Sequence, residues 1–405
     1  MTDAKSASPA SDAAWQAYRQ ALDDTRAQVL ATEWVAEPRL RAQALYFLQM
    51  HQVTAFAKYL APRPAFPHLH IHLEFLPFEI TTGQSNPDFL YRYVYLDGAR
   101  TYRLWGRKGT TRWTDFQVTN GFWGDERMET LGNYSIDAFE ADADGRYEVI
   151  LSATPHPGNW MRLDATSVNN MVLIRETWCD WENERGVEML IECADRGRDD
   201  EIVYDEAEFN RRLNAAARYL RFSTNFSVNT TKRVVDAVGF NTFFDATAPK
   251  PGEKQVGGAN AQAQYVFSVY RIARDEALII EFEPPPAKYW GISLGDVWFA
   301  STDYSYHQSS LNDVQATRDA DGKVRLVLAL DDPGVPNWLD AVGTTTGIVI
   351  LRGYLSERPF APTTKLVKRD EVRAHLPTGT PAIDASTRAQ ALRRRTRASL
   401  KRYGF

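Results

Sequence analysis

Two stretches of this chain carry the same series of landmarks at one offset, and that duplication restricts its architecture more than any other feature. Asp142-Ala143-Asp144-Gly145 precedes the alternation Tyr147, Val149, Leu151; Asp319-Ala320-Asp321-Gly322 precedes Val324, Leu326, Leu328. Pro157-Gly158-Asn159-Trp160 is matched by Val335-Pro336-Asn337-Trp338, and Val172-Leu173-Ile174-Arg175 by Val349-Ile350-Leu351-Arg352. Gly145 and Gly322 lie 177 residues apart, as do Arg175 and Arg352 and, upstream, Trp113 and Trp290; Trp160 and Trp338 differ by 178. Each copy reads as a tight Asp-Gly turn, a half-buried strand of period two, a loop anchored by Trp, and a strand ending in Arg. A period this long describes two domains and not a solenoid. The grammar is that of sandwiches and jelly rolls.

Helical signals surround the two copies. Asp12 can cap a first helix in which Trp15, Tyr18, Leu22 and Val29 recur at helical spacing. A second begins near Pro38 and buries Leu40, Ala44, Phe47, Leu48 and His51. Period two then takes over, with Tyr91–Leu96 and Thr101–Trp105 flanking Asp97-Gly98 as two arms of a hairpin. Helical spacing returns from Asp205 to Val238 with Phe209, Leu213, Ala217, Leu220 and Val234 inward, a Gly/Pro-rich linker runs from Pro249 to Ala261, and a last helix starts after Asp384 or Ser386. The expected fold is α+β but mainly β: two duplicated antiparallel sandwich or jelly-roll-like units with flanking and connecting helices. The expected order is a helical region over 1–62, a first β unit over 63–195, a helical connector and linker over 196–262, a second β unit over 263–380, and a basic helix over 381–405.

Bulk chemistry excludes several functions. A net charge of -5 argues against nucleic acid as a partner. No run approaches the roughly 18 apolar residues of a membrane span. Cys179 and Cys193 fit a reducing compartment, and with a polar N-terminus the expected location is cytoplasmic. The exception in charge is the C-terminal run of Arg388, Arg393, Arg394, Arg395, Arg397, Lys401 and Arg402 with no acid among them. It reads as a solvated helix, or as a contact for an acidic partner. The 11 Trp and 18 Tyr suit either ligand clefts or sandwich cores.

Duplication also sorts the polar residues. Features shared by both copies are best explained as scaffold: Trp160 and Trp338 filling cores, Arg175 and Arg352 holding a loop or carboxylate at a strand end. Features of one copy only are functional candidates. Tyr304-Ser305-Tyr306-His307-Gln308-Ser309-Ser310-Leu311-Asn312 has Arg127–Ser135 as its counterpart, which lacks a His and a serine pair. His307 can act as acid or base near neutral pH, and Asp340, where the first copy has Arg162, can orient it. The alternative is a polar hairpin loop. His68-Leu69-His70-Ile71-His72-Leu73-Glu74 sets three imidazoles on one face of a strand; His70 and His72 are weak metal candidates without a nameable third ligand, and the other reading is a polar strand face. Asn86-Pro87-Asp88 reads as a turn feeding a strand, with Asn86, Asp88 and Tyr91 placed to line a cleft.

These segments together resemble a known family. Asn86-Pro87-Asp88 with Tyr91, Gly158-Asn159-Trp160, Asp180-Trp181, Ser309-Ser310-Leu311-Asn312, Asp332 through Asp340, and Gly347 with Arg352 resemble the bacterial domain of unknown function 1214, over about residues 80–375. The resemblance implies a two-part β-sandwich and a loose association with catabolism of hydrophobic or alicyclic compounds, and it assigns no catalytic residue. The function expected is a catabolic enzyme acting on a small hydroxylated or hydrophobic ring substrate by acid–base chemistry, as a lyase/dehydratase or hydrolase, with no cofactor. His307 and Asp340 would be catalytic; Asn86, Asp88, Tyr91, Tyr304, Ser309, Ser310, Asn312 and Arg352 would bind substrate between the units. The rival is a non-catalytic module for a glycan or lipid-like ligand. A small molecule is the partner in both, and homo-oligomer formation stays open.

Overall fold

Among the described residues four α-helices frame the molecule: α1 (Pro9–Leu30), α2 (Pro38–Ala55), α3 (Glu206–Val238) and α4 (Ala385–Tyr403). The structure is a computed structural model that describes residues 9–71, 81–202, 204–246 and 262–404. The 249–261 linker lies outside the described residues. Helix α2 starts as its sequence dictates: Pro38 occupies the first turn, and the Glu37 carboxylate accepts from the Arg39 and Leu40 amides. Asp205 and Asp384 cap α3 and α4 through the Glu208 and Thr387 amides. Helix α1 differs from expectation. Trp15 is 52% exposed, and Ala14, Ala21, Thr25 and Val29 are the buried positions. Small residues win this face because α1 lies against the Ala215-Ala216-Ala217 run of α3, where alanines let two helix backbones approach. Phe209, near the start of α3, is likewise exposed, not inward.

The first β unit contains β1 (His70–Ile71), β2 (Phe89–Leu96), β3 (Tyr102–Arg107), β4 (Trp113–Thr119), β5 (Thr130–Ser135), β6 (Arg146–Ser152), β7 (Trp160–Arg162), β8 (Asn170–Thr177) and β9 (Glu188–Cys193). The second contains β10 (Phe243–Asp245), β11 (Ala263–Arg271), β12 (Glu276–Phe282), β13 (Tyr289–Gly295), β14 (Ser310–Asn312), β15 (Val324–Ala329), β16 (Trp338–Asp340), β17 (Thr346–Tyr354) and β18 (Thr363–Lys368). The first unit orders its sheets β1-β2-β8-β4-β5 and β7-β6-β3-β9; the second orders them β10-β11-β17-β13-β14 and β16-β15-β12-β18. Adding nine to every strand of the first unit reproduces the second. The duplication is therefore topological as well as sequential. Pairing is antiparallel apart from β6–β7 and β15–β16, which run parallel.

Identical hydrogen bonds hold the duplicated loops. Asn159 Nδ2 donates to the carbonyls of Glu140 and Glu148, and its Oδ1 accepts from the Glu140 amide. Asn337 does the same with Thr317 and Arg325. Gly145 and Gly322 have φ of 79° and 81°, a left-handed turn conformation that suits glycine.

Three expectations are corrected. Strands β2 and β3 are not hairpin arms, because β2 belongs to the five-stranded sheet and β3 to the four-stranded one. The Asp97 turn carries the chain over the sandwich edge, so that Val94, Leu96, Tyr102 and Leu104 meet in one core from opposite layers. Trp160 and Trp338 do not fill the sandwich cores; each packs on the outer face of its four-stranded sheet, opposite Met161 and Leu339, which point inward. Residues 369–376 cover Trp338 through Val372 and Leu376, while Trp160 stays half-buried. Trp113 and Trp290 are not equivalent either. Arg175 pairs with Asp115 and Arg352 with Gly291, so Trp113 corresponds to Tyr289 and Trp290 to Thr114. A one-residue slip turns a side chain to the other face of a sheet: Trp113 and Tyr289 lie between the units, whereas Trp290 lies in the second core.

Two predictions follow from this framework. Asn337→Ala should lower stability in urea by about 1–2 kcal/mol, since it strands three part-buried backbone groups, and Asn159→Ala by less, its loop being more exposed. His51 is buried against Ser223 Oγ at 2.7 Å, and burial pushes its imidazole down to about 3. The unfolded chain takes up that proton near pH 6.5 and the folded chain does not, so this contribution is complete above about 6.5 and is lost as pH falls toward 3. Thermal midpoints of His51→Gln should accordingly fall less between pH 7 and pH 5 than those of the unsubstituted protein.

Candidate functional site

The Asn86-Pro87-Asp88 turn forms as its residue types require: Asn86 Oδ1 accepts from the Asp88 amide at 3.1 Å, and the Phe89 amide closes on the Asn86 carbonyl at 3.0 Å. The turn drives Asp88, only 2% exposed, from the first unit onto the inner sheet of the second. There Asp88 Oδ2 accepts from Tyr289 Oη at 2.6 Å, and Oδ1 accepts from Asn312 Nδ2 at 2.7 Å and Trp181 Nε1 at 2.8 Å. Burial raises the Asp88 carboxyl above its ordinary range, against the opposing pull of these donors and of Arg402. Burial likewise holds the Tyr289 phenol well above its usual value. Asn86 Nδ2 donates to Tyr289 Oη at 2.9 Å, and the Asn86 amide donates to Tyr91 Oη at 3.2 Å. Gly291 makes room for this convergence: a Cβ there would stand 2.0 Å from Tyr289 Oη and 2.9 Å from Asp88 Oδ2.

Helix α4 closes the cluster from outside. Arg388, Arg395 and Arg402 recur at seven-residue spacing, which places them on one face. Arg388 pairs with Asp332 at 2.9 Å and donates to Gln308 Oε1. Arg395 donates to the Tyr304 carbonyl and to Ser310 Oγ, and Arg402 donates to the Pro87 carbonyl at 3.0 Å. Both guanidinium groups lie over the Trp181 ring, at 4.4 Å and 3.8 Å from its centroid. Burial lowers Arg395 to about 10 and Arg402 in the same direction. Tyr304 Oη meets Tyr403 Oη at 2.8 Å. The basic run is thus only partly a solvated face; Arg393, Arg394, Arg397 and Lys401 are the exposed remainder.

His307 belongs to a separate arrangement at the surface. Its Nδ1 lies 2.8 Å from Asp340 Oδ2 and its Nε2 lies 3.9 Å from Asp303 Oδ2, with the side chain 40% exposed. Asp340 is fixed by backbone: its amide donates to the Gln308 carbonyl, and its Oδ1 accepts from the Val342 amide. Ser309 Oγ donates to the Asp303 carbonyl, which shapes the loop around the imidazole. Arg352 donates to Ser293 Oγ at 2.9 Å and to the Gln84 carbonyl, and Arg175 to Asp115 at 3.1 Å and Gln117 at 2.9 Å.

The expected site residues therefore fall into groups. Asp88 and Asn312, 224 residues apart, touch; Asn86 and Tyr91 join them; Tyr304 and Ser310 reach the cluster through α4. His307 and Asp340 touch each other, but among the described residues no hydrogen bond or ion pair joins them to Asn86 or Asp88. Arg352 braces the loop at Gln84. His70 lies beside His68, with ring centroids 3.8 Å apart, and stacks on Tyr93; desolvation pushes it down to about 4. His72 is outside the described residues, among which no group of three His, Cys, Asp or Glu side chains could hold a metal ion. Sequence reasoning missed Tyr289, Trp181, Arg395 and Arg402. The sevenfold spacing inside the basic run was the available signal for the two arginines.

Comparison with known proteins agrees with this architecture. Residues 271–358 match the family model described as a protein of unknown function (DUF1214). An uncharacterized protein from Burkholderia cenocepacia superposes with a TM-score of 0.80 at 27% identity, covering 90% of this chain and 98% of that one. A protein from Vibrio parahaemolyticus is more distant, with a TM-score of 0.46 at 12% identity, covering 79% and 98%. No curated protein matches. Among the described residues no helix is long and apolar enough to cross a membrane.

Asp88→Ala should cost about 2–3 kcal/mol in urea denaturation, because three buried donors lose the acceptor they share; Tyr289 Oη and Asn312 Nδ2 keep Asn86 Oδ1 and the Cys179 carbonyl, whereas Trp181 Nε1 loses its acceptor. Gly291→Ala should lower the thermal midpoint as well, although it removes no bond. The match runs from the end of β11 to the loop after β17, so it is within the second sandwich that this chain is similar to the DUF1214 family.

Proposed function

We propose that the chain is an enzyme acting on a small hydroxylated or hydrophobic ring substrate by acid–base chemistry, with His307 as the acid/base and Asp340 as its positioning residue. The observation that carries the reading is the 2.8 Å contact between His307 Nδ1 and Asp340 Oδ2. A carboxylate on Nδ1 selects the tautomer with the proton there, leaving Nε2 as the basic nitrogen. Nε2 takes a proton from substrate or from an attacking water, and Asp340 and Asp303 offset the imidazolium charge. The proton then returns to the departing group, which leaves as water in a dehydration or as an alcohol or amine in a hydrolysis. Two free thiols suit a reducing, cytoplasmic setting for such an enzyme.

A second reading, a non-catalytic binding module, draws on the aromatic layer between the two five-stranded sheets, where Phe89, Tyr91, Tyr93, Trp113, Tyr289 and Tyr354 cluster. Assays over hydroxylated alicyclic and aromatic compounds separate the two. The enzyme reading expects His307→Ala to lower kcat/KM by about 10²–10⁴-fold with KM nearly unchanged, and Asp340→Asn to shift the pH profile. Full turnover in His307→Ala would defeat it; ligand binding with no turnover in the unsubstituted protein would favour the module.

A further inference from the structure

Helix α2 is apolar on two sides. Leu40, Ala44, Phe47, Leu48, His51, Thr54 and Ala55 face the protein. The opposite side carries Ala42, Tyr46, Gln49, Val53 and, in the turn that follows, Phe56, spaced four, three, four and three residues apart. That is the a/d spacing of a coiled-coil seam. Tyr46 is 75% exposed, Phe56 58% and Val53 48%, with Leu45 beside them at 50%. Between residues 42 and 57 the sequence holds no charged side chain. A solvated helix face ordinarily carries Lys, Glu or Arg, and a contiguous apolar stripe on a folded surface marks an interaction site.

We infer that this stripe is the contact by which two copies of the chain associate, through antiparallel packing of α2 on its symmetry mate about Gln49. The stripe is complementary in size to itself in that arrangement. With Gln49 opposite Gln49, small Ala42 meets Phe56 of the other copy, and Leu45 and Tyr46 meet Val53 and Gln52. A two-fold contact requires this matching of a surface to itself. The paired amides at the centre specify register as a buried polar seam residue does. Charge points the same way: an antiparallel pair sets Arg41 beside the last turn of the opposing helix, at the negative end of its dipole, whereas a parallel pair would set Arg41 against Arg41.

The seam is about 21 Å long at 1.5 Å per residue. With aromatic side chains that bury 150–250 Å² each, it offers on the order of 500–600 Å² per copy. The total of about 1,000–1,200 Å² sits at the lower edge of specific interfaces, so the dimer is concentration-dependent.

Sedimentation of the full chain from 1 to 100 μM tests it. The expected mass rises from 45.9 kDa toward twice that value, and Tyr46→Glu/Phe56→Glu stays at the monomer mass with an unchanged melting temperature. Gln49→Cys, placed on the two-fold axis, should form an intermolecular disulfide on mild oxidation, since Cys179 and Cys193 are buried; Ala42→Cys alone should not. A monomer at every concentration overturns the inference, as does a dimer that survives the double substitution. A monomer that co-sediments with phosphatidylcholine/phosphatidylglycerol vesicles through this stripe overturns it too and gives the face to lipid.

Discussion

One buried carboxylate decides how the two sandwiches meet. Asp88 is buried away from bulk solvent and accepts from three protein donors, two from the second unit and one from the first. A buried acceptor of this kind costs several kcal/mol without its partners. The contact is therefore directional in a way that the surrounding aromatic packing is not. It ties the Asn86 turn to β13 and β14, and it requires glycine at 291. Trp181, which donates to the same carboxylate, is also the surface on which Arg395 and Arg402 lie. The C-terminal helix is in this way recruited to the interface by the same side chain that forms its floor.

Divergence between the copies follows from what each is asked to cover. Ile279, Val327 and Val367 make the outer face of the second four-stranded sheet apolar, and residues 369–376 bury it before leading into α4. The corresponding face of the first unit carries Arg103, Glu148 and Glu192, bridged to one another and open to solvent. The Asn-Trp landmark survives in both because the asparagine closes the same loop with the same three bonds. Its tryptophan is buried only where the chain returns to cover it.

Patterns of local period were readable from the residues alone: the α2 face, the starts of α3 and α4, the Asp-Gly turns and the duplicated strands, although Asp12, expected to cap α1, lies within its first turn. Errors arose where period cannot tell two sides of an element apart. Trp113 and Trp290 share an offset yet face opposite layers, because one residue of slip between β4 and β13 inverts the side chain. Trp15 has the spacing of an inward residue, but the neighbouring alanines allow closer helix packing and take the buried side. The β2–β3 turn has hairpin chemistry, but the direction the chain takes after it depends on which sheet supplies the next partner.

The sequence by itself determined the two-unit architecture, since a repeated order of turns and alternating strands leaves only two similar sandwiches as a way to bury both sets of apolar faces. It also singled out His307 and Asp340, Asp88 and Asn312 as chemically unusual. Which of them meet was decided only by tertiary structure. Asp88 and Asn312 are 224 residues apart, and Arg402 reaches the Pro87 carbonyl across 315. Such contacts exist only once the sheets are stacked and α4 has docked, because no local rule of spacing or capping links residues that far apart along a chain.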